Sequence, residues 1–254
     1  MSAFDPEATA SFLLGQRSRD AVLTDTLPEE LRPPTLTDAI AVQVATMRAL
    51  GPVGGWKVGA ADPTAEPVAS PLPASGVKPS PVVVSARMRA AECEISFRFG
   101  RALPPRETPY DRGDVLAAIE SCQAAIEVVD PRYRTTEGHD PLSILADMGM
   151  HGSLAVGKPI ALWDTEMFAG LGVLMAVDGV KRREAVGSMP GGTDLMRLLL
   201  WLANSQVARA FGGIQPGQVV TTGSWTGLLL NPPGAYVTAR FTGFAPVEVR
   251  FGAY

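Results

Sequence analysis

Ala91-Glu92-Cys93-Glu94-Ile95-Ser96-Phe97-Arg98-Phe99 is the stretch on which the fold turns. Read as a strand, its side chains alternate between two faces. Glu92, Glu94, Ser96 and Arg98 share one face. Cys93, Ile95, Phe97 and Phe99 share the other and call for a core to lie on. Two carboxylates two residues apart on one face repel each other unless a positive group sits between them. A hard divalent cation serves, because Mg²⁺ and Mn²⁺ prefer oxygen ligands and keep positions open for water or substrate. The same alternation also describes the exposed polar face of an edge strand, and the pattern by itself leaves both readings open.

Outward from this strand, the chain divides into helices early and strands later. Phe4 to Arg19 reads as a helix. Thr35-Leu36-Thr37-Asp38 is a start signal for a second, over Ala39 to Leu50, which Gly51-Pro52 stops. Gly55 to Gly59, Val82 to Val84, Ala125 to Val129 and Gly152 to Val156 read as strands. So do Val173 to Val180, Gln218 to Gly223, Ala235 to Phe241 and Pro246 to Phe251. Gly113 to Gln123 and Thr193 to Phe211 read as helices, the second from Leu195, Leu198, Leu199 and Leu202 at helical spacing. Asp62 to Pro81 is rich in Pro, Ser and Ala and reads as a loop, on the surface or over a cavity. This order predicts an α+β fold rather than a regular βαβ array. Residues 1–50 are expected to form a helical segment packing on a core built by 51–254, with no sharp boundary between them.

With 254 residues and a net charge of −4, the chain has no basic footprint for nucleic acid and no polybasic membrane patch. Its longest apolar stretch, Met167 to Val177, contains glycines and is too short to span a bilayer. The N-terminus has early acids and lacks the basic-then-apolar run of a signal peptide, so a cytoplasmic location is expected. Cys93 and Cys122 read as core thiols. His139 and His151 are too few for a His-rich zinc site.

Two further charged residues sit in apolar surroundings. Glu127 lies inside Ala124-Ala125-Ile126-Glu127-Val128-Val129, where a buried carboxylate needs a partner or a metal. Lys57 lies between Trp56 and Val58. It either reaches solvent along its stem or offers its ammonium group to an anionic substrate.

From about Leu36 onward the chain resembles the 2-keto-4-pentenoate hydratase group of the fumarylacetoacetate hydrolase-like superfamily. The resemblance is carried by the helix start Asp38-Ala39 to Gln43, Gly55-Trp56-Lys57-Val58-Gly59, Glu92-Cys93-Glu94-Ile95, Ala125 to Asp130 and Leu145-Ala146-Asp147. Trp201-Leu202-Ala203-Asn204 and Gly217 to Ser224 continue it. It implies a mixed β core, barrel-like or rolled, with helices packed around it, in a homo-oligomer. It implies Glu92, Glu94 and Glu127 as ligands to Mg²⁺ or Mn²⁺, and Lys57 as the lysine that meets substrate. Asp147 matches an acidic position of the group, while Thr222, Gly223 and Ser224 match a loop near the substrate carboxylate. The implied activity is that of a lyase, hydrating a small 2-hydroxy-2,4-dienoate or 2-oxo-4-enoate in aromatic-compound catabolism. A 4-oxalocrotonate-type decarboxylase, a C–C bond hydrolase and a non-catalytic partner subunit are the alternatives. The chain departs from the group in two places. Ser70 to Val77 holds no acid where many hydratases carry one. Met148 replaces an Asn, with His151 three residues on as a candidate acid/base.

Overall fold

The computed structural model describes residues 4–187 and 189–252. The chain opens with α1 (Pro6–Gly15) and α2 (Leu36–Leu50), then runs through β1 (Val53–Gly59), β2 (Val68–Pro73), β3 (Val77–Pro79), β4 (Val82–Val84) and β5 (Ala90–Phe99). After these come α3 (Arg112–Ala118), β6 (Ile119–Val129), α4 (Pro141–Ala146), β7 (His151–Val156), β8 (Gly172–Val177) and β9 (Val180–Val186). The last part holds α5 (Leu195–Asn204), α6 (Gln206–Ala210), β10 (Val219–Ser224), β11 (Leu229–Leu230), β12 (Tyr236–Phe241) and β13 (Val247–Phe251).

The expected α+β class is what forms, as two mixed sheets with helices around them. One sheet has the order β2-β1-β10-β5-β6-β7-β3, with β11 also on β5; the other has the order β4-β13-β12-β8-β9. Among the described residues, neither closes into a barrel. The pairs β1/β10 and β3/β7 are parallel, while β5 runs antiparallel to both β10 and β6. Cys93, Ile95, Phe97 and Phe99 all enter the main core, which fills the space between the sheets with Val237, Val247, Val249 and Phe251 of the second sheet. Cys93 and Cys122 are free, buried thiols in that core.

Helix α2 is fixed at its start by Thr35, whose hydroxyl accepts from the Asp38 amide. With α1 it covers a second apolar cluster of Leu13, Leu27, Val42, Ala45, Tyr133 and Met150. This packing carries Gln43 into the protein beside β2. Among the described residues, no helix is long and apolar enough to cross a membrane.

Three expectations fail for definable reasons. Residues 68–73 are not loop but a largely buried strand, antiparallel to β1. Pro71 and Pro73 are admissible because β2 is an edge strand and needs no donors on its outer side. The helix expected over 113–123 ends at Ala118, and Ser121, Cys122 and Gln123 pair with Arg98, Phe97 and Ser96 instead. The helix expected over 193–211 is broken at Ser205. That residue is extended, and its hydroxyl caps α6 by accepting from the Ala208 amide.

Candidate metal centre and substrate pocket

The register of β5 against β6 places Glu92 directly opposite Glu127, so the two project from the same face, and Glu94 follows two residues along. One oxygen from each of the three carboxylates lies within 4.8 Å of the other two. Glu94 and Glu127 are buried and Glu92 is half-buried. Two donors orient Glu94: its Oε2 accepts from the Thr221 hydroxyl and, at 3.1 Å, from the Gly223 amide. Gly223 has φ +98°, a left-handed conformation that glycine adopts without strain.

Lys57 reaches the cluster from β1. Its Nζ donates to Glu127 Oε1 at 2.8 Å and to the Gly149 carbonyl at 3.0 Å. Burial pulls the ammonium pKa down, but Glu127, Glu92 and Glu94 outweigh it and hold the pKa above the ordinary lysine value. Burial likewise opposes ionisation of Glu127. Lys57 and then His151 overcome it and hold Glu127 ionised down to about 2. Glu94 lacks such a contact, and burial followed by its neighbours Glu127 and Glu92 pushes it up to about 8.

Three carboxylates and one ammonium leave a deficit of two positive charges when all are ionised. Glu127 Oε2 is buried with no protein hydrogen-bond partner among the described residues. An oxygen cluster with that deficit and an unspent acceptor suits a divalent cation of the Mg²⁺ or Mn²⁺ kind. Glu92, Glu94 and Glu127 would hold it.

The other expected site residues lie at different depths. His151 is fully buried behind Glu127, with Nδ1 3.2 Å from Glu127 Oε1. Burial lowers its pKa, although Glu127 opposes that shift. Asp147 does not reach the pocket. Its two oxygens take the backbone amide and the side chain of Arg132, which also donates to the His151 carbonyl at 2.9 Å. Thr222 turns its hydroxyl to the Ile95 carbonyl at 2.8 Å, whereas Gly223 and Ser224 line the pocket. That pocket is a cavity of about 340 Å³. Lys57, Glu92 and Glu94 stand in it, and Val68, Ala69, Pro141, Ile144 and Leu145 supply its apolar wall. Thr221, Gly149 and Ser70 also belong to the site. Thr221 lies in the resembling stretch Gly217 to Ser224, whereas Gly149 and Ser70, as single small residues, carry no signal in sequence.

No protein-family model matches the chain. It is similar to the 4-oxalocrotonate decarboxylase of Pseudomonas putida, 30% identical over 139 residues, which are 55% of this chain and 52% of that protein. It is similar to the one from Pseudomonas sp. (strain CF600), 26% identical over 170 residues, which are 67% and 63%. The matched stretch thus spans about half to two thirds of the length of these curated relatives. Among solved structures, a 4-oxalocrotonate decarboxylase from Pseudomonas putida G7, complexed with magnesium and adipate, superposes with a TM-score of 0.82. It is 25% identical, and the match covers 99% of this chain and 98% of that one. These likenesses place the chain in the fumarylacetoacetate hydrolase-like superfamily. The fold of the superfamily extends to a fumarylpyruvate hydrolase from Pseudomonas aeruginosa in complex with Mn²⁺ and pyruvate. There the TM-score is 0.57 at 13% identity, over 78% of this chain and 89% of that one. Superfamily structures thus contain the class of ion that the three glutamates suit.

Proposed function

We propose that the protein is a divalent-metal-dependent decarboxylase of a 2-oxo acid whose second carboxylate is carried on the saturated carbon next to a double bond conjugated with the ketone, the chemistry of 4-oxalocrotonate. The observation that carries this reading is the short supply of acids and bases in the pocket. Among the described lining residues the only acids are Glu92 and Glu94, both assigned to the cation. His151 is sealed behind Glu127, and Asp147 is held by Arg132. Hydration needs a base to take a proton from water as well as an acid to deliver one to carbon. Decarboxylation needs an electron sink and a single proton after CO₂ has left. The C–C bond to the departing carboxylate breaks, and its electron pair moves through the conjugated double bond onto the carbonyl oxygen. The cation, when bound, supplies Lewis acidity at that oxygen.

The chain's own residues do the rest. The Lys57 ammonium, kept charged by the glutamates, donates to the oxygen on which negative charge develops. Val68, Ile144 and Leu145 supply the apolar wall against which the carbon chain of the substrate would lie. The likeness to 4-oxalocrotonate decarboxylases over nearly the whole chain supports the same reading.

The test is release of CO₂ from 4-oxalocrotonate by purified protein with Mg²⁺ or Mn²⁺, with chelator, and with Glu92→Gln. Metal-dependent CO₂ release, lost in the variant, is the expected result. No CO₂ release, together with metal-dependent consumption of 2-hydroxypenta-2,4-dienoate, would replace this reading with the hydratase.

A further inference from the structure

Ser70 stands directly opposite Lys57 in the antiparallel β1/β2 pair, so both side chains project to the same face of the sheet. Both line the pocket. Gly149 lies between them. A Cβ built there would stand 3.0 Å from Lys57 Cδ and 3.5 Å from Ser70 Oγ.

The hydroxyl of Ser70 is held on its other side by Gln43. This fully buried amide donates from Nε2 to Ser70 Oγ at 3.0 Å and to the Leu145 carbonyl at 2.7 Å. The Leu145 contact settles which way the amide faces. A backbone carbonyl only accepts, so the NH₂ end must point at it, and the same NH₂ group reaches Ser70. Ser70 Oγ is therefore an acceptor toward Gln43, and its own hydrogen is unspent. Gln43 is its one hydrogen-bond partner among the described residues. The direction left for that hydrogen is the cavity, beside the Lys57 ammonium.

We propose that Ser70 is a substrate-positioning residue. It donates its hydroxyl hydrogen to an oxygen of the bound 2-oxo acid, alongside Lys57, and Gln43 sets that direction. Both donors line the same cavity as Glu92 and Glu94, with Lys57 also touching Glu127. An acid seated between them would present some oxygens to the cation and another to the donors, which fixes its orientation before any bond breaks. The inference rests on the reading of this pocket as a 2-oxo acid site.

The probe is oxalate, a chelating acid that does not turn over. Its binding is measured by titration calorimetry at saturating Mg²⁺, with Mg²⁺ binding and thermal unfolding followed in parallel. Loss of a hydrogen bond to a charged ligand in Ser70→Ala is expected to weaken oxalate about ten- to a hundred-fold. Mg²⁺ affinity and unfolding temperature should stay at the wild-type values. Ser70→Thr, which keeps the hydroxyl, should stay close to wild type. Gln43→Leu should weaken oxalate by a smaller factor, and should add nothing on top of Ser70→Ala, because its effect passes through that hydroxyl. Wild-type oxalate affinity in Ser70→Ala would overturn the inference and leave the decarboxylase reading in place. So would additive losses in the double variant. Failure of wild-type protein to bind oxalate with Mg²⁺ would overturn the reading of the pocket itself, and the role of Ser70 with it.

Discussion

Glu94 carries a measurable consequence of the way its carboxylate is buried. Its ordinary value of 4.5 is pushed up to about 8 in the metal-free protein, first by burial and then by Glu127 and Glu92. A folded-state pKa above the unfolded value means that the folded chain holds this proton more tightly. The stabilisation is present below pH 4.5 and is lost as pH rises to 8. A cation needs the carboxylate, so Mg²⁺ uptake at pH 7 must expel that proton. Calorimetry in two buffers of different ionisation enthalpy should therefore show release of up to one proton per Mg²⁺, with affinity rising toward pH 8. Equal heats in both buffers would contradict this. Lys57→Met should destabilise the metal-free protein by about 3–5 kcal/mol, because it strips a fully buried carboxylate of its cation. Urea unfolding should show that loss, and a further Glu127→Gln change should recover part of it. The four charged residues were legible in sequence because each interrupts an apolar run or shares a strand face with a like charge. Ser70 was not, and Gln43 and Thr221 lay in resembling stretches with no role of their own. Their roles come from cross-strand register and from a helix packed on β2, which the local sequence does not spell out.

Strands and helices were legible wherever local pattern and pairing partner agree. Val115 and Leu116 suit a helix, and α3 forms there, but β5 captures the following residues because the long strand pairing outweighs little more than one further turn of helix. Pro71 argued against a strand, yet an edge position tolerates it. The pairing of β1 with β10 is the element on which Lys57 depends, since it sets the lysine beside the strand that neighbours β5. Gly55 makes that approach possible: a Cβ there would overlap the Val219 carbonyl oxygen. Gly55→Ala should cost about 1–3 kcal/mol of stability through overpacking. It should also weaken oxalate binding without touching a metal ligand. An unchanged unfolding midpoint would show that the two strands can part at no cost.

On the scale of the whole molecule, the α+β class follows from the order of elements, whereas the division into two open sheets does not. Which strand joins which sheet depends on partners far apart in the chain, such as β4 with β13. A cation bridging β5 and β6 should stabilise the entire fold by mass action, about 2.7 kcal/mol at a hundred times its dissociation constant. The unfolding temperature should rise with Mg²⁺ in the wild type and stay flat in Glu92→Gln. The parallel pairing of β1 with β10 joins residues 53–59 to residues 219–224. During synthesis, then, the strand that bears the lysine can pair early with β2, but it meets β10, its link to β5, only after most of the protein has left the ribosome. The glutamates of β5 and β6 are available much earlier. Until β10 is made, the acidic face that β5 and β6 share lacks the strand that brings it Lys57, although that lysine is made first.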